Sequence, residues 1–189
     1  MQMSYDVFFV SSNKHKFEEV KKIVSKFGLK LGLLELHLQE IQADDLEEIA
    51  KHKAIHAFSL CSKPVIVEDA GLFIKSLHGF PGPYSSYVFN TIGNDGILKL
   101  LDVKRDAIFK SVIAYCERSG VVHLFSESVS GNISREKYGT KWGFDPIFIP
   151  SGHDKPYSKL VDKNQISHRY LALKKFSNWY LNKKKSNDL

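Results

Sequence analysis

The chain of 189 residues contains little cysteine and no long apolar segment. Its two cysteines, Cys61 and Cys116, are too few and too far apart for a disulfide framework or a cysteine-rich zinc site, which predicts reduced, buried thiols. No apolar stretch approaches the ~20 residues that a membrane span requires. The N-terminus also lacks the pattern of a secretory signal. We therefore expect a cytoplasmic protein with no membrane partner.

Arginine is scarce as well. Only four of the 27 basic residues are arginine, and 21 acidic residues leave a net charge of +6. Residues 174–189 hold five lysines and one aspartate, which account for +4 of that charge. Because proteins that read nucleic acids usually depend on arginine, we expect no specific nucleic-acid partner and interpret residues 182–189 as a flexible basic tail. A non-catalytic nucleic-acid-binding module that uses this tail remains an alternative.

The apolar residues alternate between strand and helix spacing along the whole chain, without repeats or low-complexity segments. This pattern predicts an α/β fold with a mixed β-sheet flanked by helices, in a single domain that spans residues 1–189. The predicted elements, in order, are strands Tyr5–Val10 and Leu31–Leu38 with a helix between them, a helix from Asp45, a strand Val65–Val67, short helices Tyr84–Ile92 and Asp95–Leu101, a hairpin of Ala107–Glu117 and Val121–Val129, and a last helix capped by Ser167.

Small polar residues and lysines follow the first predicted strand, in the segment Ser11-Ser12-Asn13-Lys14-His15-Lys16. The segment joins a strand to a helix N-terminus, where free backbone N–H groups favour a bound phosphate. It lacks the glycines of a Walker loop, and an ordinary helix cap with two solvated lysines is the alternative interpretation.

Two adjacent carboxylates, Glu68 and Asp69, follow the buried strand Val65–Val67. Ligands of α/β proteins usually lie at this end of a strand, and carboxylate oxygens suit Mg²⁺ bound together with substrate phosphates. Glu40 would reach the same edge if the second and third strands are parallel neighbours. A solvated turn after the strand, with no metal, is the alternative.

Aromatic and polar residues share a loop-rich segment, Trp142-Gly143-Phe144-Asp145-Pro146, and Ser167-His168-Arg169 follows further along. An aromatic face can stack on a nucleobase, and arginine with aspartate can bond to its edge. A hydrophobic loop next to a helix cap is the alternative. The pair His52 and His56 has one-face helical spacing but no evident third ligand, so we expect no metal there.

Taken together, five segments resemble the inosine triphosphate pyrophosphatase family. They occur in the family's order over residues 5–180 and are Ser11–Glu19, Val67–Leu72, Gly79–Ser85, Trp142–Phe148 and Lys163–Arg169. The resemblance implies an elongated mixed sheet with a central active-site groove. It also implies hydrolysis of noncanonical purine nucleoside triphosphates (ITP, dITP and XTP) to the monophosphate and pyrophosphate with Mg²⁺, by a homodimer.

The same resemblance implies roles for individual residues. The phosphate-binding residues would be Ser12, Asn13, Lys16 and Lys53. Glu40 and Asp69 would hold Mg²⁺ or its bound water, and catalysis would depend on Asp69 as the general base, with Lys16 and Glu68 beside it. The base-recognition residues would be Phe144, which stacks on the purine, and Asp145, Lys163, His168 and Arg169.

This interpretation requires that the acidic segment after the third strand and the lysine-bearing turn after the first converge on one cleft. Carboxylates beside an anion site would repel a nucleic-acid backbone in the absence of Mg²⁺, which argues against the nucleic-acid module. A pyrophosphatase that acts on modified pyrimidine or other nucleotides remains a second alternative.

Overall fold

The protein is described by a computed structural model over residues 5–187, without the side chain of Asn187. Within these residues one seven-stranded mixed sheet runs in the order β2-β1-β3-β5-β6-β7, with β4 paired to β3. The strands are β1 Val7–Val10, β2 Leu31–Leu34, β3 Val65–Ile74, β4 Pro81–Gly82, β5 Asp106–Arg118, β6 Val121–Ile133 and β7 Phe148–Pro150. The sheet and its flanking helices confirm the predicted α/β fold class.

The sheet changes direction at its centre. Strand β1 pairs in parallel with both β2 and β3, whereas β3, β5, β6 and β7 pair antiparallel. The carboxyl ends of β1 and β2 therefore lie at one edge beside the middle of β3, which is where an α/β sheet places a ligand.

Helices cover both faces of the sheet. They are α1 Lys14–Ser25, α2 Leu46–Cys61, α3 Ser85–Thr91, α4 Gly93–Leu100, α5 Lys163–Ile166 and α6 His168–Asn187. Helices α1 and α6 share a buried cluster with Ile113 and Tyr115 of β5, while α2 shares another with Val112 and Ala114. Since successive strand residues point to opposite faces, α2 lies across the sheet from α1 and α6. No helix in the described range is long and apolar enough to cross a membrane.

Strand β3 is longer than predicted. It continues through Glu68 and Asp69 to Ile74, and it pairs with β5 along its whole length, from Val65 with Cys116 to Ile74 with Ala107. The solvated turn considered for the carboxylates is therefore wrong. Consecutive positions in a strand send the two side chains to opposite faces of the sheet.

The C-terminal helix also differs from its prediction. Helix α6 continues to Asn187, and Lys183 forms an ion pair with Glu117 while Lys184 forms one with Asp6. Residues 182–187 thus belong to a packed helix instead of the flexible tail that their charge predicted, while residues 188 and 189 lie outside the described range. The predicted cap at the start of this helix is present, because the Tyr170 N–H donates to Ser167 Oγ at 3.2 Å.

Candidate active site

A cleft of about 540 Å³ opens at the edge of the sheet where β1 and β2 end. Its wall is formed by the N-terminus of α1, by α2 and α3, by the middle of β3 and by the loop before β7. Ten of the twelve predicted site residues line it: Ser12, Asn13, Lys16, Glu40, Lys53, Asp69, Phe144, Asp145, His168 and Arg169. The other two, Glu68 and Lys163, contact lining residues from behind.

The N-terminus of α1 faces this cleft. Asn13 is the N-cap, and its Oδ1 accepts the Lys16 N–H at 3.0 Å, while Ser11 Oγ accepts the Asn13 N–H at 3.1 Å. The remaining first-turn N–H groups carry the positive end of the helix dipole. The Lys16 ammonium reaches across to β3, 3.1 Å from Glu68 Oε2 and 3.2 Å from the Glu68 carbonyl oxygen. A lysine and a helix end thus supply positive charge at one point of the cleft.

The two carboxylates of β3 have different partners because they lie on opposite faces. Glu68 is fully buried towards α6, where its Oε1 accepts from Ser111 Oγ at 2.8 Å and from Arg169 Nε at 3.0 Å. Asp69 faces α2, and its Oδ1 lies 2.9 Å from the Lys53 ammonium, which also lies 2.7 Å from Glu40 Oε1. Glu68 therefore belongs to a buried network, while Asp69 faces the cleft.

The pKa values of these carboxyls separate in the same way. Burial opposes ionisation of Glu68, but Arg169 and Lys16 outweigh it and hold the pKa of Glu68 well below its ordinary value. Burial raises the pKa of Asp69, and Lys53 and Lys16 offset this only in part. A carboxylate with a raised pKa accepts a proton more readily. Of the two carboxylates, Asp69 is therefore the one that accepts a proton more readily, and Glu68 remains an anion that fixes its neighbours.

Glu40 and Asp69 fit a divalent cation. The Lys53 ammonium already bridges the two carboxylates, and Asp69 Oδ2 is buried without a hydrogen-bond partner among the described residues. Within that range no group of three or more His, Cys, Asp or Glu side chains could hold a metal. A cation at this pair would take its other ligands from water and phosphate oxygens, as Mg²⁺ usually does.

The aromatic residues of the cleft divide between surface and core. Trp142 is 42% exposed and lines the cleft, whereas Phe144 is only 3% exposed and packs edge-on against Phe89, with ring centroids 5.6 Å apart. Trp142 also contacts Phe89, at 6.2 Å between centroids. Of the two aromatic residues in the predicted segment, Trp142 thus offers the accessible face, although sequence reasoning assigned it no separate role. Tyr84 and Tyr87 also line the cleft and are exposed as well.

His168 and Arg169, at the start of α6, are both buried. The His168 ring stacks on Phe109 at 3.9 Å between centroids and 14° between planes, and neither of its nitrogens has a hydrogen-bond partner among the described residues. Burial, with the Arg169 charge, lowers the pKa of His168 well below its usual value, so the ring is neutral. Two polar nitrogens at the wall of a cleft are available to a ligand.

Sequence reasoning missed Glu19. This residue of α1 lies 3.0 Å from Lys163 and 2.6 Å from Arg169, and Lys163 in turn lies 2.6 Å from Asp145 Oδ2. The only sequence signal is that Glu19 follows Lys16 by three positions, which places both on one face of a helix. Nothing in the local pattern indicates that Lys163 and Arg169, about 150 positions away in the chain, complete the cluster.

The histidine pair on α2 lies beside the segment that follows β2. The rings of His52 and His56 lie 6.4 Å apart, and His56 Nδ1 accepts the backbone N–H of Gln39 at 3.2 Å. A nitrogen that already accepts a hydrogen bond is not free to ligate a metal.

The fold and the cleft define an α/β protein in which a helix N-terminus, lysines and carboxylates converge on one ligand-sized site. A family model described as the Ham1 family matches residues 7–179. The chain therefore belongs to the Ham1 family.

Curated relatives agree with this assignment. The chain is 46% identical over 181 residues to the dITP/XTP pyrophosphatase of Methanopyrus kandleri, a match that covers 93% of this chain and 96% of the relative. It is 46% identical over 179 residues to the dITP/XTP pyrophosphatase of Methanothermobacter marburgensis, with 92% and 95% covered. The resemblance found in the sequence is thus confirmed.

Solved structures share the fold. A HAM1 protein from Coxiella burnetii superposes with a TM-score of 0.80 at 28% identity, over 93% of this chain and 98% of that chain. The Ham1 protein of Staphylococcus aureus gives 0.72 at 27% identity, over 94% and 100%.

Proposed function

We propose that the protein hydrolyses the α,β-phosphate bond of dITP, ITP and XTP, which releases the nucleoside monophosphate and pyrophosphate. The observation that carries the proposal is the Lys53 ammonium between Glu40 and Asp69, in the cleft that also receives Lys16 and the N-terminus of α1. The activity printed in the names of the curated relatives supports the choice of substrates.

The phosphate end of the nucleotide lies at α1 in this proposal. A triphosphate carries about four negative charges, which free N–H groups at a helix N-terminus and nearby ammonium groups neutralise. Ser12, Asn13, Lys16 and Lys53 contact the phosphates, while Ser11 Oγ and Asn13 Oδ1 hold the turn through their hydrogen bonds. Mg²⁺ held by Glu40 and Asp69 would neutralise further charge on the phosphates as they separate.

Asp69 acts as the general base. It removes a proton from the attacking water, the water oxygen bonds to phosphorus, and the α,β anhydride bond breaks so that pyrophosphate leaves. Its raised pKa and its position on the cleft wall support this role. Glu68 acts on the reaction indirectly, because its buried charge is paired with Lys16 and Arg169.

The base end of the nucleotide lies between Trp142 and the start of α6. The exposed ring of Trp142 stacks on the purine, and Phe144 supports the loop that carries it, which revises the stacking role that the sequence gave to Phe144. Asp145 accepts the N1–H of hypoxanthine or xanthine. Adenine has an acceptor at N1 and an amino group at position 6, so its polar groups would remain unpaired on burial.

The proposal extends to assembly and location. By its family resemblance we expect a homodimer in the cytoplasm that uses Mg²⁺ and has no specific nucleic-acid partner. Analytical ultracentrifugation distinguishes a dimer from a monomer of 21.5 kDa.

A substrate panel tests the proposal. Pyrophosphate release is measured with dITP, XTP, dATP, dGTP and a modified pyrimidine triphosphate, each with Mg²⁺, Ca²⁺ or EDTA. We expect release from dITP and XTP at least tenfold faster than from dATP, and only with Mg²⁺. The family resemblance implies the same margin over dGTP, which the contact with Asp145 does not explain, because guanine also carries N1–H. Equal rates for all purines would contradict the assigned specificity, and a preference for the pyrimidine would replace it.

A further inference from the structure

A chain of ion pairs runs behind the cleft from the base end to the phosphate end. We call it the buried ion-pair chain. Its charges alternate in sign, no side chain in it is more than 17% exposed, and its members are Asp145, Lys163, Glu19, Arg169, Glu68 and Lys16. The five successive N···O distances are 2.6, 3.0, 2.6, 3.0 and 3.1 Å.

Glu19 lies at the centre of this chain. One of its oxygens lies 3.0 Å from Lys163, and the other accepts from Arg169 Nη1 at 2.6 Å. Glu19 is not part of the cleft wall, so it acts on a nucleotide only through these two cations. Lys163 continues to the base end and Arg169 to the phosphate end.

We propose that Glu19 is a positioning residue that couples base recognition to phosphate binding, an inference that rests on the proposed function. Charges are poorly screened in a buried site, and an ion shared by two partners of opposite charge is held more tightly by one of them when its pairing with the other weakens. A base that donates a hydrogen bond to Asp145 weakens the Asp145–Lys163 ion pair, so Lys163 binds Glu19 more tightly. Glu19 then binds Arg169 less tightly, and Arg169 binds Glu68 more tightly. Glu68 in turn releases Lys16, whose ammonium becomes available to phosphate.

The alternation of sign gives the direction of the effect. Five successive ion pairs link Asp145 to Lys16. When the first pair is weakened, the second is strengthened, the third weakened, the fourth strengthened and the fifth weakened. A base with an N1–H donor therefore tightens phosphate binding, while adenine, with an acceptor at N1, does not. Recognition of the base therefore increases the affinity for the phosphates as well as the affinity for the base.

Calorimetric titration of the full-length protein with pyrophosphate in excess Mg²⁺ tests the coupling without turnover. The titration is made alone, with saturating inosine and with saturating adenosine, for the wild type, Glu19→Gln and the matched control Glu18→Gln. Glu18 is the exposed neighbour on the same helix. Glu19→Asp is a second variant, which keeps the buried charge for folding but is too short to reach both cations.

We expect inosine to tighten pyrophosphate binding about fivefold, the lower end of typical coupling between sites, in the wild type and in Glu18→Gln. Adenosine gives no change. In Glu19→Gln and Glu19→Asp the factor falls below about twofold, although each ligand still binds alone. Full coupling in folded Glu19 variants, or no coupling in a wild type that binds both ligands, overturns the inference. A wild type that binds neither ligand contradicts the proposed function itself.

Discussion

Two adjacent residues of the site perform different tasks because a strand separates their side chains. Glu68 and Asp69 are neighbours in sequence, yet Glu68 is paired with Arg169 and Lys16 while Asp69 is paired with Lys53. The first remains ionised, and the second has a pKa raised by burial. The environment of each carboxyl, and not its residue type, decides which one accepts a proton.

The pH dependence of the reaction follows from Asp69. Burial raises the pKa of Asp69 and a bound Mg²⁺ opposes this rise, and kcat/KM falls as the pH drops through the resulting pKa, because a protonated carboxyl cannot act as a base. Lys53→Gln removes a positive charge that favours the ionised form of Asp69, so the pKa of Asp69 rises. The acid limb of the variant's pH–rate profile therefore moves to higher pH. The pH–rate profiles of the wild type and the variant measure this shift. An acid limb that stays in place, or moves to lower pH, argues against Asp69 as the base.

The two aromatic residues of the base end give a second prediction. Trp142→Ala leaves the melting temperature nearly unchanged but raises KM for dITP about tenfold, since stacking of a base on an aromatic ring contributes ~1–3 kcal/mol. Phe144→Ala destabilises the fold by ~3–5 kcal/mol, the usual cost of truncating a buried phenylalanine. Thermal unfolding and steady-state kinetics of both variants separate the effects. A large rise in KM without destabilisation in Phe144→Ala would show that Phe144 stacks on the base, which the present assignment gives to Trp142.

At the level of elements, the site depends on the close approach of β4 to β3. A Cβ atom on Gly71 would lie 2.5 Å from the Gly82 carbonyl oxygen, which only glycine avoids. The buried Ser85 completes the junction, because its Oγ donates to that carbonyl at 2.7 Å and accepts the Leu72 N–H at 2.8 Å. This junction holds the start of α3 against the strand that carries Asp69.

Gly71→Ala therefore displaces β4 and destabilises the protein by ~1–3 kcal/mol, the usual range for overpacking a buried site. The displacement also moves α3, which lines the cleft, so kcat/KM for dITP falls as well. Urea denaturation and kinetics measure both quantities. Unchanged stability would show that β4 tolerates the added methyl group and that the junction does not fix the cleft.

The sequence predicted the order and type of the longer elements well, because apolar periodicity and the helix cap Ser167 are local signals, whereas the short strands β4 and β7 were not predicted. The predicted third strand ended too early, at Val67, because two adjacent carboxylates, Glu68 and Asp69, are typical of the end of a buried strand. What continues it is pairing with β5 along ten residues, a long-range contact that no local pattern contains. Glu19 was missed for the same reason, since its partners Lys163 and Arg169 come from the far end of the chain.

At the scale of the whole molecule, the cleft combines both faces of one sheet. Helices α1 and α6 supply cations from one side, and α2 supplies Lys53 from the other. The lysines at the end of α6 serve the fold, because Lys183 and Lys184 are paired with acidic side chains of the sheet region. These two lysines therefore have a structural role.

Removal of residues 182–189 tests this view. We expect a loss of roughly 1 kcal/mol in the free energy of unfolding, since partly exposed ion pairs contribute little each. The value of kcat/KM for dITP stays within about twofold, because none of the described residues of this segment lines the cleft. Salt-sensitive polynucleotide binding by the full chain that disappears on truncation would instead favour the nucleic-acid module.

The most direct test of the central claim is the product balance from dITP with wild-type protein and Asp69→Asn, measured by chromatography of the nucleotide and separate assays of pyrophosphate and orthophosphate. The account predicts dIMP and pyrophosphate in equal amounts, no orthophosphate, and a rate at least 100-fold lower in a variant that remains folded. Formation of dIDP with orthophosphate, or an undiminished rate in Asp69→Asn, would contradict it.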